Sequence, residues 1–156
     1  MERARDEHAP ARESDTSMAW SDLRLVGYTP MDETHEEFYE VVFALVTCDP
    51  ETLVKSITAV EAHTVSHFEQ EDEWMRSTDF PPHDCHIDEH AAVLKSIREV
   101  KAGIEAGAMG VEHAHDLGHH LFAWFPGHAD YLDSALAAWL TKLRMGGKPV
   151  VLRRSI

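Results

Sequence analysis

The stretch Val65-Ser66-His67-Phe68-Glu69-Gln70-Glu71-Asp72-Glu73-Trp74-Met75 decides the fold, together with Cys85-His86-Ile87-Asp88-Glu89-His90 after a short proline-containing loop. Residues four apart on an α-helix lie about 40° apart around its axis, so His67 and Glu71 project from one face, and His86 and His90 from another. Each pair is a two-point claw for a metal ion. Helical bundles build metal sites from side chains on facing helices, and two such claws on neighbouring helices make a cluster that a bundle can close around a cation. Taken alone, Glu69, Glu71, Asp72 and Glu73 read equally well as a solvated acidic face.

What precedes and follows each claw argues for burial. Leu53, Ile57, Val60, Thr64, His67, Phe68 and Glu71 share one helical stripe, apolar until the ligand pair appears. A buried carboxylate without a partner is costly, so Glu71 on that face needs a cation or must turn outward. On the next helix His86 and His90 lead the stripe that Val93, Leu94, Ile97 and Val100 continue, which places both histidines at the end of the core. His63, one turn before His67, is a decoy or a supporting residue, and His83 lies on the loop side.

The flanking segments complete four helices. Phe38, Val41, Val42 and Leu45 recur at helical intervals over Met31 to Val46, and Thr29-Pro30 is a start signal. His35 points with that stripe; a lone histidine there is more often a hydrogen-bonded core residue than a ligand. Asp49 caps and Pro50 opens the second helix, which runs to about Met75. Phe80-Pro81-Pro82 ends it, and the third helix spans about Asp84 to Gly103. The fourth covers about Val111 to Leu143, with Leu117, Leu121, Trp124, His128, Leu132, Leu136 and Leu140 on its faces and a loosened turn expected at Pro126-Gly127. His113, His115, His119 and His120 read as surface histidines, although His120 shares a face with Trp124 and His128.

Composition narrows the function. A chain of 156 residues, 44% of them hydrophobic, fits one domain with a real core. The formal charge of −14 with only 14 Lys and Arg argues against a nucleic-acid partner. Cys48 and Cys85 are too few for a disulfide framework and fit a reducing, cytoplasmic setting. No apolar run is long enough for a membrane span, and the charged Met1 to Thr16 is not a signal peptide. Residues 1–17 read as a disordered extension, with patterned sequence beginning at Met18-Ala19-Trp20; residues 18–145 form the four-helix domain, and residues 146–156 a tail. The anomaly is histidine, at 12 copies.

Several motifs then fall into one order and spacing: Trp20-Ser21-Asp22 with Val26-Gly27, Met31-Asp32-Glu33-Thr34-His35, His67-Phe68 with Glu71 and Met75, His86 and His90, and Trp124, His128 and Asp133. Together they resemble the bacteriohemerythrins of the hemerythrin family, from Ala19 to about Leu140. The resemblance implies an up-down-up-down four-helix bundle with a di-iron site in its core. His35 and His67 would bind one iron, and His86, His90 and His128 the other; Glu71 and Asp133 would bridge both together with a solvent oxygen. Two carboxylates and a hydroxide offset three of the four charges of two Fe(II), which leaves a charge small enough to bury among neutral imidazoles. The mixed N/O donor set suits iron, although zinc fits the same donor chemistry.

Two departures are visible. His128 and Asp133 are five apart, about 140° around a regular helix, so Asp133 reaches inward only through a π-type widening, a spacing the family shares. Relatives usually carry Trp-Leu before the fourth-helix histidine and Ile after it, where this chain has Trp124-Phe125-Pro126-Gly127 and then Ala129. Ala129 would open the oxygen pocket, and Phe125 would fill part of it.

The function implied is reversible dioxygen binding, for storage or for delivery to oxygen-requiring enzymes, by a protein expected to be monomeric and not an enzyme. Oxygen would bind at the open position of the iron held by His35 and His67, behind an apolar wall of Phe38, Trp124 and Phe125. The alternatives are a di-iron oxidase or a peroxide- or nitric-oxide-handling enzyme, and an oxygen sensor. Di-iron oxidation catalysts in bundles more often use Glu-rich sites with Glu-x-x-His pairs, whereas this set is His-rich.

Overall fold

The computed structural model describes residues 18–81 and 83–145. The expected extension, residues 1–17, and the expected tail, residues 146–156, lie outside the described residues, as does Pro82 of the second loop. After a 3-10 turn at Asp22–Arg24 come four long helices: α1 (Thr29–Val46), α2 (Leu53–Ser77), α3 (His83–Glu105) and α4 (Val111–His128). A π-helical turn, Ala129–Asp133, joins α4 directly to α5 (Ser134–Met145), so that α4, the π turn and α5 form the fourth rod. No strand occurs among the described residues, and the short connections fold consecutive helices back on one another as a four-helix bundle.

Local chemistry sets each boundary. Gly27 has φ 89°, which favours glycine, and this turn lets Asp32 accept the backbone N–H groups of Val26 at 2.8 Å and Gly27 at 3.2 Å. Those bonds brace the entry to α1, where Pro30 stands in the first turn without needing an N–H partner. Asp49 caps as expected, accepting from the amides of Glu51 and Thr52 at 2.9 Å each, but Pro50 to Thr52 form a separate turn and the regular helix begins only at Leu53. The helix thus starts later than Asp49-Pro50 alone suggests, because the aspartate caps the turn rather than the helix proper.

The fourth rod differs most from expectation. Pro126-Gly127 does not interrupt it: α4 runs through Pro126 to His128, and the irregularity is the π-type widening expected between His128 and Asp133, at Ala129–Asp133. Proline deletes one N–H and leaves the Phe122 carbonyl without its usual partner, a loss that the helix absorbs. The π turn is closed by the backbone N–H of Ser134 on the Ala129 carbonyl, to which the Ser134 hydroxyl also donates at 3.0 Å.

The core is divided into two apolar clusters. One gathers Phe38, Tyr39, Val42, Leu45, Ile57, Val60, Ile97, Leu121, Phe122, Phe125 and Ala129; the other holds Val26, Met31, Met75, Phe80, Leu136, Ala137 and Leu140. Three rods contribute to both. On α1 His35 falls between Met31 and Phe38, on α2 Glu71 falls between Val60 and Met75, and on the fourth rod Asp133 falls between Ala129 and Leu136. The polar side chains therefore form a layer in the middle of the bundle, sealed by hydrocarbon at both ends.

Candidate metal centre

Seven side chains supply this layer, all nearly or wholly buried: His35 from α1, His67 and Glu71 from α2, His86 and His90 from α3, His128 from α4 and Asp133 from the π turn. They fall into two sets close enough to hold a metal ion each. His35, His67 and Glu71 form one, and His86, His90, His128 and Asp133 the other.

The carboxylates join the two sets. Asp133 points Oδ2 at His35 Nε2, 3.1 Å away, and Oδ1 at His86 Nε2 and His128 Nε2, 2.9 and 3.1 Å away. Glu71 places Oε2 2.9 Å from His67 Nε2 and 3.7 Å from His90 Nε2, while Oε1 stands 3.8 Å from His35 Nε2. Each carboxylate thus faces histidines of both sets. Donors bound at right angles to one ion at roughly 2.1 Å stand about 3 Å apart, which is the spacing of the shorter of these pairs.

Hydrogen bonding around the layer fixes which nitrogen faces inward. His90 Nδ1 donates to Asp72 Oδ1 at 2.8 Å, and His128 Nδ1 donates to Glu89 Oε1 at 2.9 Å. Their Nε2 lone pairs then converge to 3.3 Å with no proton between them, an arrangement only a cation satisfies. His35 Nε2, His67 Nε2, His86 Nε2 and all four oxygens of Glu71 and Asp133 are buried without a hydrogen-bond partner among the described residues. So many orphaned groups in one layer would cost several kcal/mol each, and a bound metal would satisfy them together.

The electrostatics point the same way. Burial alone would lower the His35 imidazole, yet Asp133 and Glu71 beside it carry it up to about 10. Burial and the neighbouring Asp133 would raise Glu71, but His67 and His35 hold it at about 2. Burial likewise opposes ionisation of Asp133, and His128, His35 and His86 keep its carboxyl well below the usual range. Two ionised carboxylates in a hydrocarbon-sealed layer demand positive charge where the imidazoles converge, and a divalent cation supplies it.

The expected pocket residues separate. Phe125, fully buried, sets its ring edge-on to His35 at 4.9 Å and stacks on Phe38 at 5.2 Å, so both cover the two-histidine set; Ala129 is buried in the same cluster. Trp124 covers the other set instead, its ring 4.3 Å from that of His128 and its indole N–H donating to Glu89 at 2.8 Å. The indole is drawn there by the Glu89 acceptor.

Other histidines sort by their surroundings. His63 is half-buried against His67 and Phe38. His83 is half-exposed and bonds the Phe80 carbonyl through Nδ1 at 2.6 Å, and His113, His119 and His120 are exposed. His115 departs from the surface reading, because its Nε2 donates to the Cys48 carbonyl at 2.8 Å and ties α4 to the loop after α1.

Periodicity missed two participants, Asp72 and Glu89. Phe68 stacks almost parallel on His90 at 3.9 Å. The two acids stand one position from a claw residue, Asp72 after Glu71 and Glu89 before His90, and adjacency was the only signal that could have singled them out.

The fold and this layer define a four-helix protein with a buried histidine–carboxylate centre built for metal. The chain matches the hemerythrin HHE cation binding domain over residues 26–140. It is 33% identical over 123 residues to a curated bacteriohemerythrin from Ralstonia nicotianae, an alignment covering 79% of this chain and 88% of that protein. No solved structure matches. The chain belongs to the hemerythrin family.

Proposed function

We propose that this protein binds dioxygen reversibly at a pair of iron ions, to store it or deliver it to oxygen-requiring enzymes, and that it is a carrier rather than a catalyst. The observation that carries the reading is that Glu71 and Asp133 each face histidines of both sets, as bridging carboxylates of a two-ion centre must. In this assignment His35 and His67 would hold one ion and His86, His90 and His128 the other, with Glu71 and Asp133 available to both. When bound, the iron pair supplies one electron from each ion for reversible uptake of dioxygen.

The protein's own contribution is asymmetry and dryness. The two-histidine set offers one imidazole fewer than its neighbour, so the ligand position left for oxygen lies on the His35 and His67 side. Phe38, Phe125 and Ala129 surround that side with apolar, buried surface, excluding the water and acid that would discharge bound oxygen. On the other side three histidines, two of them anchored through Nδ1, would enclose the second ion.

Metal analysis with an optical spectrum tests the assignment. Two irons per chain, with bands that appear in air and vanish when oxygen is removed, support it. Sustained oxygen consumption with a reductant would replace it with the oxidase reading. The location and the oligomeric state we infer, cytoplasmic and monomeric, rest on composition; no helix among the described residues is long and apolar enough to cross a membrane.

A further inference from the structure

Where α3 meets α4 the bundle is open, and a groove of about 580 Å³ runs between them, walled by Val93, Leu117, Leu121 and Trp124 with Glu89 at one end. Glu89 is 37% exposed there, yet one of its oxygens accepts from two side chains of the opposite helix, the buried His128 through Nδ1 at 2.9 Å and the half-buried Trp124 through Nε1 at 2.8 Å. Both donors need an external anchor. His128 is the last residue before the π turn, so its own backbone is joined to the least regular stretch of the rod. Trp124 lies across the His128 ring, and a shared acceptor holds the two rings in register.

We propose that Glu89 is a positioning residue: it fixes the tautomer and orientation of His128 so that Nε2 faces the centre, and its negative charge makes that imidazole a stronger donor to a bound cation. Asp72 does the same for His90 from α2. Nδ1 of His35, His67 and His86 has no hydrogen-bond partner among the described residues. The protein therefore strengthens donors only within the three-histidine set. An ion there is held more firmly than one on the two-histidine side, and its higher oxidation state is favoured.

This inference rests on the two-iron reading, and the experiment separates the two. Iron-loaded parent, Glu89→Leu, Glu89→Gln and Glu99→Gln proteins are challenged with a chelator, and urea unfolding is followed with and without iron. Glu99 also borders the groove system but is exposed and far from the layer's hydrogen bonds. Glu89→Leu should hold iron about 10- to 100-fold less tightly, with a larger loss of stability in the iron-loaded than in the iron-free protein. Glu89→Gln keeps an acceptor but not the charge, so it should restore most of the retention while shifting the oxidised-to-reduced ratio at fixed poise towards reduced. Glu99→Gln should match the parent. Iron retention unchanged in Glu89→Leu, with equal destabilisation of both forms, would make Glu89 a brace between helices and overturn the proposal. A parent protein that holds no iron overturns the two-iron reading as well.

Discussion

His128 Nε2 and Asp133 Oδ1 stand 3.1 Å apart although five residues separate them, because the turn between them is π-helical. In a regular helix the pair would diverge by about 140°, and Asp133 would miss the layer. Removing one residue from the turn restores a spacing of four, about 40°, and leaves Leu136, Ala137 and Leu140 facing the core. Deletion of Tyr131, which is 82% exposed, should therefore keep metal binding and a cooperative unfolding transition. Insertion of one alanine after Tyr131 turns that face outward, at a cost of roughly 1.5–3 kcal/mol for each exposed leucine. Iron content and urea midpoints of both variants check this; a deletion variant without metal would show that the wider turn itself is required.

The proposed assignment divides the histidines into those that would hold metal and those that hold the fold. His86→Ala and His90→Ala should lose iron and unfold more easily, since Glu71 and Asp133 would lose their cation. His115→Ala should keep iron but lose about 1 kcal/mol with the bond to the Cys48 carbonyl. His83→Ala should do neither. Iron per chain, measured beside the unfolding midpoint, distinguishes the three classes, and equal iron in all four variants would refute the ligand assignment.

If dioxygen binds on the two-histidine side as proposed, Phe125 is the residue of the apolar wall expected to bear on its retention most directly. Its ring meets His35 and it is wholly buried, so Phe125→Ala should open the two-histidine side to water and shorten the life of the oxygenated spectrum severalfold. The same change should cost about 3–5 kcal/mol through the cavity it leaves. Decay followed at one pH and temperature in both proteins is the measurement, and an unchanged lifetime would move the barrier elsewhere.

His63 gives stability a pH dependence of known sign. Burial, with His67 and His35 nearby, lowers it from 6.5 to about 4, so between those values the unfolded chain binds a proton that the folded one does not. Its contribution is complete above pH 6.5, is lost as pH falls towards 4, and changes no further below; bound cations would push in the same direction. Between pH 7 and 5, His63→Gln should therefore lose less stability than the parent. Parallel urea midpoints across that range test it, and identical slopes would contradict the assignment.

Four helices, their inward stripes and the two claws were legible along the chain because periodicity and His-Glu or His-His spacing are local properties. His35 was not legible as a ligand on those grounds: one histidine on an apolar stripe reads as core until another helix brings Asp133 to 3.1 Å. Resemblance to a family, rather than spacing, nominated it together with His128 and Asp133.

By itself, the sequence determined an acidic, histidine-rich chain of amphipathic helices with candidate metal-ligating pairs at the end of its core stripes. Only the tertiary structure decided that Trp124 covers His128 rather than His35, that His115 is a strut, and that Asp72 and Glu89 anchor two histidines. The physical reason is common to all three. Each depends on which hydrogen-bond partner a side chain meets across a helix interface, and those partners lie up to 67 residues apart in the chain, beyond the reach of any helical period.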